Sequence, residues 1–458
     1  MQIAEYLRTL SGKRIAVVGL GISNRPLVGL LLEAGLDVLA CDKTPREKLD
    51  QTVLDLEARG ARLQLGPDYL ENLDADVIFR TPGLHPDTPQ LRAAVAGGAE
   101  LTSEMEAFFR VCPCPILAVT GSDGKTTTTT LIAKLLEQAG KTVWLGGNIG
   151  HPLLSEAGRM GPEDVAVLEL SSFQLMTMKQ SPQVALVTNL APNHLDIHKD
   201  MDEYVDAKRN LFRFQGPGDR LVLNLDNEIT RSFAAEAAGQ VSWFSRQARP
   251  DRGVYLRDGV IRRVTEAGEQ PVLDRSDLLL PGDHNVENFM AAMAAVEGLV
   301  PDRAIIEVAR TFTGVAHRIE RIRVRDGVTW YNDSIASSPS RTIAGLRSFE
   351  TPVILIAGGY DKHIPYDVLG PEMLAHVKRL ILTGDTAPKI RAALENTPGY
   401  QGQIPIHDAE DLAAAVLLAA ETAQAGDTVI LSPASASFDH FKNFEERGNV
   451  FRQLVLDL

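Results

Sequence analysis

The chain has 458 residues, 44% of them hydrophobic and 23% charged, and its formal net charge is -14. That length calls for two or three domains, and the composition is that of a globular chain able to bury real cores. The acidic balance argues against a nucleic-acid partner, which would face a basic surface, and no apolar stretch is long enough to span a bilayer. The apolar run Ile15–Ile22 gives way at once to Ser23-Asn24-Arg25, so no signal peptide is expected. Three cysteines, Cys41, Cys112 and Cys114, fit a reducing, cytoplasmic compartment rather than a disulfide framework. Cys112-Pro113-Cys114 has no second Cys/His pair at a zinc-like spacing.

In chain order, Lys13–Gly19 reads as a strand that turns through Gly19-Leu20-Gly21-Ile22-Ser23-Asn24 into a helix carrying Leu27, Leu30, Leu31 and Leu32. Val38–Cys41 is the next strand, ending at Asp42, and alternation of this kind predicts a Rossmann-like parallel sheet. The dinucleotide fingerprint is incomplete, because Asn24 stands where a third glycine belongs. Strand Asp76–Phe79 precedes Arg80-Thr81-Pro82-Gly83, a turn whose backbone could meet a phosphate. An idle crevice explains these residues equally well.

After a proline-punctuated connection at Val111–Pro115 comes the stretch on which the chain turns. Ile116–Thr120 reads as a buried strand, Gly121-Ser122-Asp123-Gly124-Lys125-Thr126-Thr127 as a phosphate loop, and a helix follows from near Thr126 to before Gly140. Glycines let backbone amides approach an anion, and the helix start adds unpaired donors and the positive end of its dipole. Lys125 would neutralise the β/γ-phosphates and the Thr126 hydroxyl would ligate Mg²⁺. The spacing departs from the usual P-loop: Val119 stands where the first glycine is expected.

Lys141–Leu145 is a strand followed by Gly146-Gly147-Asn148-Ile149-Gly150, and Val165–Leu168 is a strand ending on Glu169. A carboxylate at a strand's carboxyl end is placed to hold Mg²⁺, the plainer alternative being an exposed loop glutamate. His194 follows strand Val184–Asn189, although a lone histidine is more often structural. Lys208, in a polar helix over Asp202–Phe212, reads by itself as a solvated surface lysine. Residues 221–280 read as sheet and turn, with a hairpin at Gly253–Arg257, Asp258-Gly259 and Val260–Val264. A helix opens at Gly282-Asp283-His284-Asn285 and runs to about Gly298.

From Thr313 a third α/β region begins. A strand ends in Trp330-Tyr331-Asn332-Asp333-Ser334, and a helix covers Pro339–Leu346 with Ser338 as its cap. Val353–Ala357 leads into Gly358-Gly359-Tyr360-Asp361-Lys362. Arg379–Thr383 and Thr428–Ser432 are further strands, the last followed by Pro433-Ala434-Ser435-Ala436-Ser437. Strand ends bearing small, polar or charged residues mark one face as a site.

Taken together these stretches resemble the Mur ligases of peptidoglycan synthesis. The matching runs are Thr120–Thr126, Gly146–Gly150, Leu168–Gln174, Asn193–Asp196, His317-Arg318, Asn332–Ser334 and Ser432–Gly448, in order across nearly the whole chain. The resemblance implies an α/β protein of three domains. These are a Rossmann-like domain for the UDP-sugar (1–111), a P-loop ATPase-like domain with extra β hairpins (112–314) and a Rossmann-like domain for the amino acid (315–458). It implies an amide ligase acting on ATP, UDP-N-acetylmuramoyl-L-alanine and D-glutamate through an acyl phosphate, and nothing in the sequence demands more than a monomer.

Site residues follow from the same resemblance. Gly121, Ser122, Asp123, Gly124, Lys125, Thr126 and Thr127 hold ATP, with Asn285, Asn288, Arg318 and Asp333 as further nucleotide contacts. Two Mg²⁺ sites draw on Thr126, Glu169, His194 and Lys208, the last matching the family's carbamylated lysine, N6-carboxylysine. Asn148 bridges substrate and phosphate, and with Lys125, Glu169, His194 and Lys208 completes the catalytic set. Ile22, Ser23, Asp42, Thr81, Pro82 and Gly83, with Asn148 and His194, match the UDP-sugar site. His317, Ser337, Lys362, Ser437, Phe438 and Phe444 match the amino-acid site, where a cation and backbone donors would fix two carboxylates.

One departure stands out. Where the best-known members continue the Asn-Asp-Ser turn with Lys-Ala-Thr-Asn, this chain has Ile335-Ala336-Ser337-Ser338, and Arg341 is expected to supply the missing charge. A folylpolyglutamate synthetase would begin near its phosphate loop, and the diaminopimelate-adding relative would carry an Asp-Asn-Pro-Arg signature. An NAD oxidoreductase would not need a second nucleotide loop with Lys125 and Glu169. A nucleotide sensor without turnover is the remaining alternative.

Overall fold

A computed structural model describes residues 1–192, 198–280 and 282–458. Among the described residues the strands form three sheets. The first, in the order β3-β2-β1-β4-β5, joins β1 (Ile15–Val18), β2 (Val38–Asp42), β3 (Arg62–Leu65), β4 (Val77–Arg80) and β5 (Glu100–Thr102). Every pair is parallel. The order reverses between β1 and β4, and ligands sit at such switch points outside the carboxyl ends of the strands. All four residues of β1 and of β4 are buried, as expected for strands covered on both faces.

The second sheet runs β14-β13-β12-β11-β10-β9-β6-β8-β7. Its members are β6 (Ile116–Thr120), β7 (Val143–Gly147), β8 (Val165–Glu169), β9 (Val184–Val187), β10 (Arg220–Asn224), β11 (Gln240–Ser245), β12 (Gly253–Arg257), β13 (Val260–Thr265) and β14 (Gly268–Asp274). From β7 to β12 the neighbours are parallel, and β12 to β14 close it with antiparallel hairpins. The first hairpin turns at Asp258 and Gly259, both at positive φ, which the Asp-Gly pair foretold.

The third sheet, in the order β15-β16-β20-β17-β18-β19, contains β15 (Glu320–Arg325), β16 (Val328–Asn332), β17 (Val353–Ala357), β18 (Val377–Leu382), β19 (Ile406–Asp408) and β20 (Thr428–Leu431). Only the β15–β16 pair is antiparallel. The helix Pro339–Leu346 forms as expected and Ser338 occupies its N-cap position, but the Ser338 side chain makes no capping bond. Its hydroxyl lies 3.2 Å from Ser340 Oγ instead.

By compactness the chain divides into two units, Met1–Asp277 with Val286–Ala309, and Leu278–Asn285 with Arg310–Leu458. In the first unit one apolar core runs under two sheets, from Val17, Val28 and Phe79 through Phe108 to Leu168, Val187 and Phe212. In the second, Leu355, Leu380 and Ile430 face one side of the sheet, while Trp330, Ile354 and Phe451 face the other. Among the described residues no helix is long and apolar enough to cross a membrane.

Candidate active site

The phosphate loop is built by backbone geometry that only glycine tolerates. Gly121 and Gly124 lie at φ 148° and 77°. A Cβ at Gly121 would collide with Thr188 Oγ1, and one at Gly124 with Asn288 Oδ1. The segment after β9 holds the loop from below. Thr188 Oγ1 donates to the Asp123 carbonyl (2.6 Å), and Asp123 N–H donates to Asn189 Oδ1 (2.9 Å). Ser122 Oγ meets both Ala191 O and Tyr204 Oη at 2.9 Å. Helix Lys125–Gln138 starts directly from this loop, and Lys125 Nζ donates back to Ser122 O at 2.9 Å. Thr126 and Thr127 occupy its first turn, half-buried. Asn288, in helix Asp283–Ala295, packs against Gly124 and Thr128.

Beside the loop stands a carboxylate whose geometry asks for a cation. Glu169 ends β8 and pairs in register with Val119 of β6. It is only 2% exposed. Its Oε1 accepts from Asn148 Nδ2 at 2.8 Å, while Oε2 is buried without a hydrogen-bond partner among the described residues. The Asn148 amide N–H also donates to Glu169 O (2.7 Å), and a Cβ at Gly147 would strike that same carbonyl. The glycine-rich loop is therefore pressed onto the acid. A buried carboxylate oxygen left unpaired costs a few kcal/mol unless a cation or donor arrives.

Lys208 is not a surface residue. It is 1% exposed, and its Nζ donates to Thr120 Oγ1 (3.1 Å) and Gly121 O (2.9 Å) while lying 4.8 Å from the Tyr204 ring centre. Burial lowers its pKa well below the usual lysine value, the charge of Lys125 adds to that, and Glu169 and Asp123 partly oppose it. The polar character of helix Met201–Arg209 hides the one face on which Lys208, Tyr204 and Ala207 turn inward. His194 lies outside the described residues.

These side chains fit Mg²⁺. Among the described residues no three acidic, histidine or cysteine side chains converge, yet Mg²⁺ is commonly held by one or two carboxylates and substrate phosphates, with waters filling the rest. Glu169 Oε2 and the Thr126 hydroxyl are hard oxygen donors of that kind. Lys208 as an ammonium has no lone pair to offer; as a carbamate it would present anionic oxygens.

The switch point of the first sheet gathers the residues expected for a sugar nucleotide. Asp42, at the end of β2, accepts from Leu20 N–H (2.6 Å) and Thr44 N–H (2.8 Å). Partial burial raises its pKa, but these bonds outweigh it and hold the carboxyl below the ordinary range. Thr81 packs so closely on Gly19 that a Cβ there would overlap it. Ile22 is 79% exposed at the rim, with Ser23 beside it. Behind the turn Thr81-Pro82-Gly83 lies a residue the sequence did not single out. Arg80, 1% exposed, donates through Nη1 to the carbonyls of Thr81, Pro82 and Leu84, and through Nη2 to Phe173 O (2.9 Å). One guanidinium thus ties this turn to the segment that follows Glu169. His198 was missed as well: its Nε2 sits 2.8 Å from Ser172 Oγ and its ring stacks on Phe173.

In the second unit Ser337, Lys362 and the pair Ser437 and Phe438 sit on the three segments that follow β16, β17 and β20, while His317 precedes β15 and Phe444 opens the last helix. Asp333 is buried; desolvation raises its pKa to about 7, against bonds from Ser432 Oγ and Ile319 N–H and the charges of Arg318 and Arg341. Arg341 donates to Ile335 O at 3.3 Å, beside Ser337, where the family lysine is absent. Lys362 is exposed after β17, and Phe438 packs edge-on against Tyr360. Ser437 is buried next to it. His317, at φ 64°, is buried with Nδ1 3.1 Å from Asn332 Nδ2 and its ring edge-on to Phe444. Asn285 is buried in the first turn of helix Asp283–Ala295. Arg447, another residue without a sequence-based role, joins these segments from within.

Comparison with known proteins places this geometry in context. The Mur ligase middle domain family matches residues 119–296, and the family described as Mur ligase, glutamate ligase domain matches residues 317–435. The chain is 53% identical to a UDP-N-acetylmuramoylalanine–D-glutamate ligase of Acetivibrio thermocellus, over 99% of this chain and 98% of the relative. It is 50% identical to the like-named protein of Clostridium novyi, over 99% of each. Among solved structures, a UDP-N-acetylmuramate-alanine ligase of Thermotoga maritima superposes with a TM-score of 0.55 at 18% identity, over 97% of this chain and 99% of the other. A pseudomurein peptide ligase of Methanothermus fervidus does so with 0.52, also at 18%, over 97% and 100%. At such identity these two speak to the fold alone.

Proposed function

The chain belongs to the Mur ligase family, and on that premise we propose that it joins D-glutamate to UDP-N-acetylmuramoyl-L-alanine at the expense of ATP. The observation that carries this reading is Glu169: a buried carboxylate oxygen without a hydrogen-bond partner among the described residues, set beside a phosphate loop and a buried lysine.

A carboxylate is a poor acyl donor until one oxygen becomes part of a good leaving group. In the first step an oxygen of the substrate carboxylate attacks the γ-phosphorus of ATP. The bond from that phosphorus to the β-bridging oxygen breaks, and ADP departs with the electron pair. In the second step the amine of D-glutamate attacks the acyl carbon, the carbon–oxygen bond to phosphate breaks with its electron pair leaving on phosphate, and the amine gives up a proton to the departing phosphate or to water as the amide forms. Phosphoryl transfer of this kind is mostly positioning and charge neutralisation.

The loop amides of 121–127 and Lys125 cradle the phosphates, with Asn288 packed against the loop. Glu169 and the Thr126 hydroxyl would hold Mg²⁺, which would neutralise charge on the phosphate oxygens when bound. Asn148 orients Glu169 and has its amide edge near the incoming carboxylate. Burial lowers the pKa of Lys208 and so favours the neutral amine, the form that reacts with CO₂, since an amine lone pair and not an ammonium attacks it. N6-carboxylysine at Lys208, a second magnesium ion and a role for His194 belong to this reading. So do the three domains 1–111, 112–314 and 315–458, the monomeric state and the cytoplasm as the compartment.

Asp42, Thr81, Pro82, Gly83, Ile22 and Ser23 form the sugar-nucleotide crevice. Arg341 and Lys362 give the cations for the two carboxylates of the acceptor, with Ser437, Phe438 and Phe444 around them. An amino-acid panel in both enantiomers, read as ADP release, tests the assignment. D-Glutamate should raise ADP release only when the UDP-sugar acid is present. ADP release indifferent to either substrate would overturn it.

A further inference from the structure

Arg447 lies in helix Phe444–Asp457 and is 3% exposed, yet its hydrogen bonds go to neutral acceptors. Nε donates to Ser334 Oγ (3.0 Å) and Nη2 to Ser334 O (2.8 Å). Nη1 donates to Ser435 O (3.1 Å) and Ala436 O (2.9 Å). Ala436 O also accepts from Tyr360 N–H at 3.0 Å, and a Cβ on Gly359 would stand 3.1 Å from Arg447 Nη1. One guanidinium therefore bonds the segments that follow β16 and β20 and packs against Gly359 of the segment that follows β17, which is itself tied to Ala436 O through Tyr360 N–H. Those segments carry Ser337, Lys362, Ser437 and Phe438, and Phe444 begins the arginine's own helix.

A latch between loops can be made from neutral groups at no cost in charge desolvation, which for a guanidinium is several kcal/mol. What the arginine adds is a rigid five-donor fork and a positive charge. Burial lowers its pKa to about 10 against the opposing charge of Asp439, so the charge persists at neutral pH. It bonds Ser334, the residue before Ile335, which stands in place of a family lysine, and a field from a buried cation is weakly screened.

We propose that Arg447 is a positioning and specificity-determining residue for the acceptor amino acid, fixing the three acceptor segments in register and biasing their site toward a dicarboxylate. The inference rests on the ligase reading above and deepens it.

The test compares Arg447→Lys, which keeps the charge and loses the fork, with Arg447→Met, which loses both. Arg447→Gln, neutral but able to hydrogen-bond, replaces the methionine variant if that one does not fold. Both changes should raise the KM for D-glutamate about tenfold or more and leave the KM for ATP and for the UDP-sugar acid within about twofold. The preference in kcat/KM for D-glutamate over D-glutamine should survive in the lysine variant and fall about fivefold or more in the neutral one. Equal rises in all three KM values, or an unchanged preference in the neutral variant, would overturn the proposal. Wild-type protein that shows no D-glutamate-dependent ADP release would instead overturn the ligase reading itself.

Discussion

Lys208 Nζ donates to the Gly121 carbonyl at 2.9 Å, within the loop that opens the phosphate-binding helix. Its second bond goes to Thr120 Oγ1, which in turn donates to Leu170 O, the residue after Glu169. The lysine thus touches the phosphate loop directly and reaches the segment after Glu169 through Thr120. Lys208→Ala should cut kcat about 100-fold or more, as loss of a group that shapes a metal site commonly does. With ¹³C-bicarbonate the wild-type protein should show a carbamate carbon resonance that the alanine variant lacks. A resonance common to both would remove Lys208 from that role.

Glu169→Gln keeps the shape of the side chain and removes the charge that burial makes valuable. Its magnesium requirement, followed as ADP release against Mg²⁺ concentration, should shift upward about 10- to 100-fold. Asn148→Ala, which strips Oε1 of its donor at 2.8 Å, should shift it in the same direction by less. An unchanged magnesium curve in the glutamine variant would contradict the metal assignment.

Arg80 should matter to one substrate more than the other. Its guanidinium reaches three carbonyls of the 81–84 turn and Phe173 O. Arg80→Met leaves four partly buried acceptors short of a donor, and a destabilisation of about 2–4 kcal/mol is expected. The KM for the UDP-sugar acid should rise about tenfold while that for ATP stays within about twofold. Steady-state kinetics with each substrate varied in turn decides it.

Glu104 gives the chain a pH-dependent stability. Burial raises its carboxyl pKa to about 7, against bonds from the Leu154 and Leu153 amides. Between about pH 4 and 7 the folded chain keeps this proton while the unfolded chain releases it, so stability falls as pH rises through that window. Glu104→Gln should therefore match wild type near pH 4 and exceed it at pH 8 by up to about 3 kcal/mol. Urea unfolding at the two pH values measures the difference, and a deficit at pH 8 would refute the attribution.

The phosphate loop could be read from sequence because its chemistry is contiguous: glycines, lysine and threonine sit within seven residues, and their φ angles follow from residue type. Glu169 was readable for a similar reason, since a strand of four apolar residues ends on it. Lys208 was not readable from its own helix, whose polar composition describes the exposed face and not the one turned toward Thr120. Arg80 and Arg447 escaped because their partners are mostly main-chain carbonyls, and a carbonyl leaves no mark in a sequence. Ser338 shows the converse. Its position before Pro339 gives the helix start correctly, but a hydroxyl can choose another partner, here Ser340.

The central claim is that the substrate carboxylate is activated as an acyl phosphate. UDP-N-acetylmuramoyl-L-alanine labelled with ¹⁸O in its carboxylate, turned over with ATP and D-glutamate, tests it by mass analysis of the inorganic phosphate released. One labelled oxygen per phosphate is the expected result, because the oxygen that attacks phosphorus leaves with it. Phosphate free of label would contradict the account.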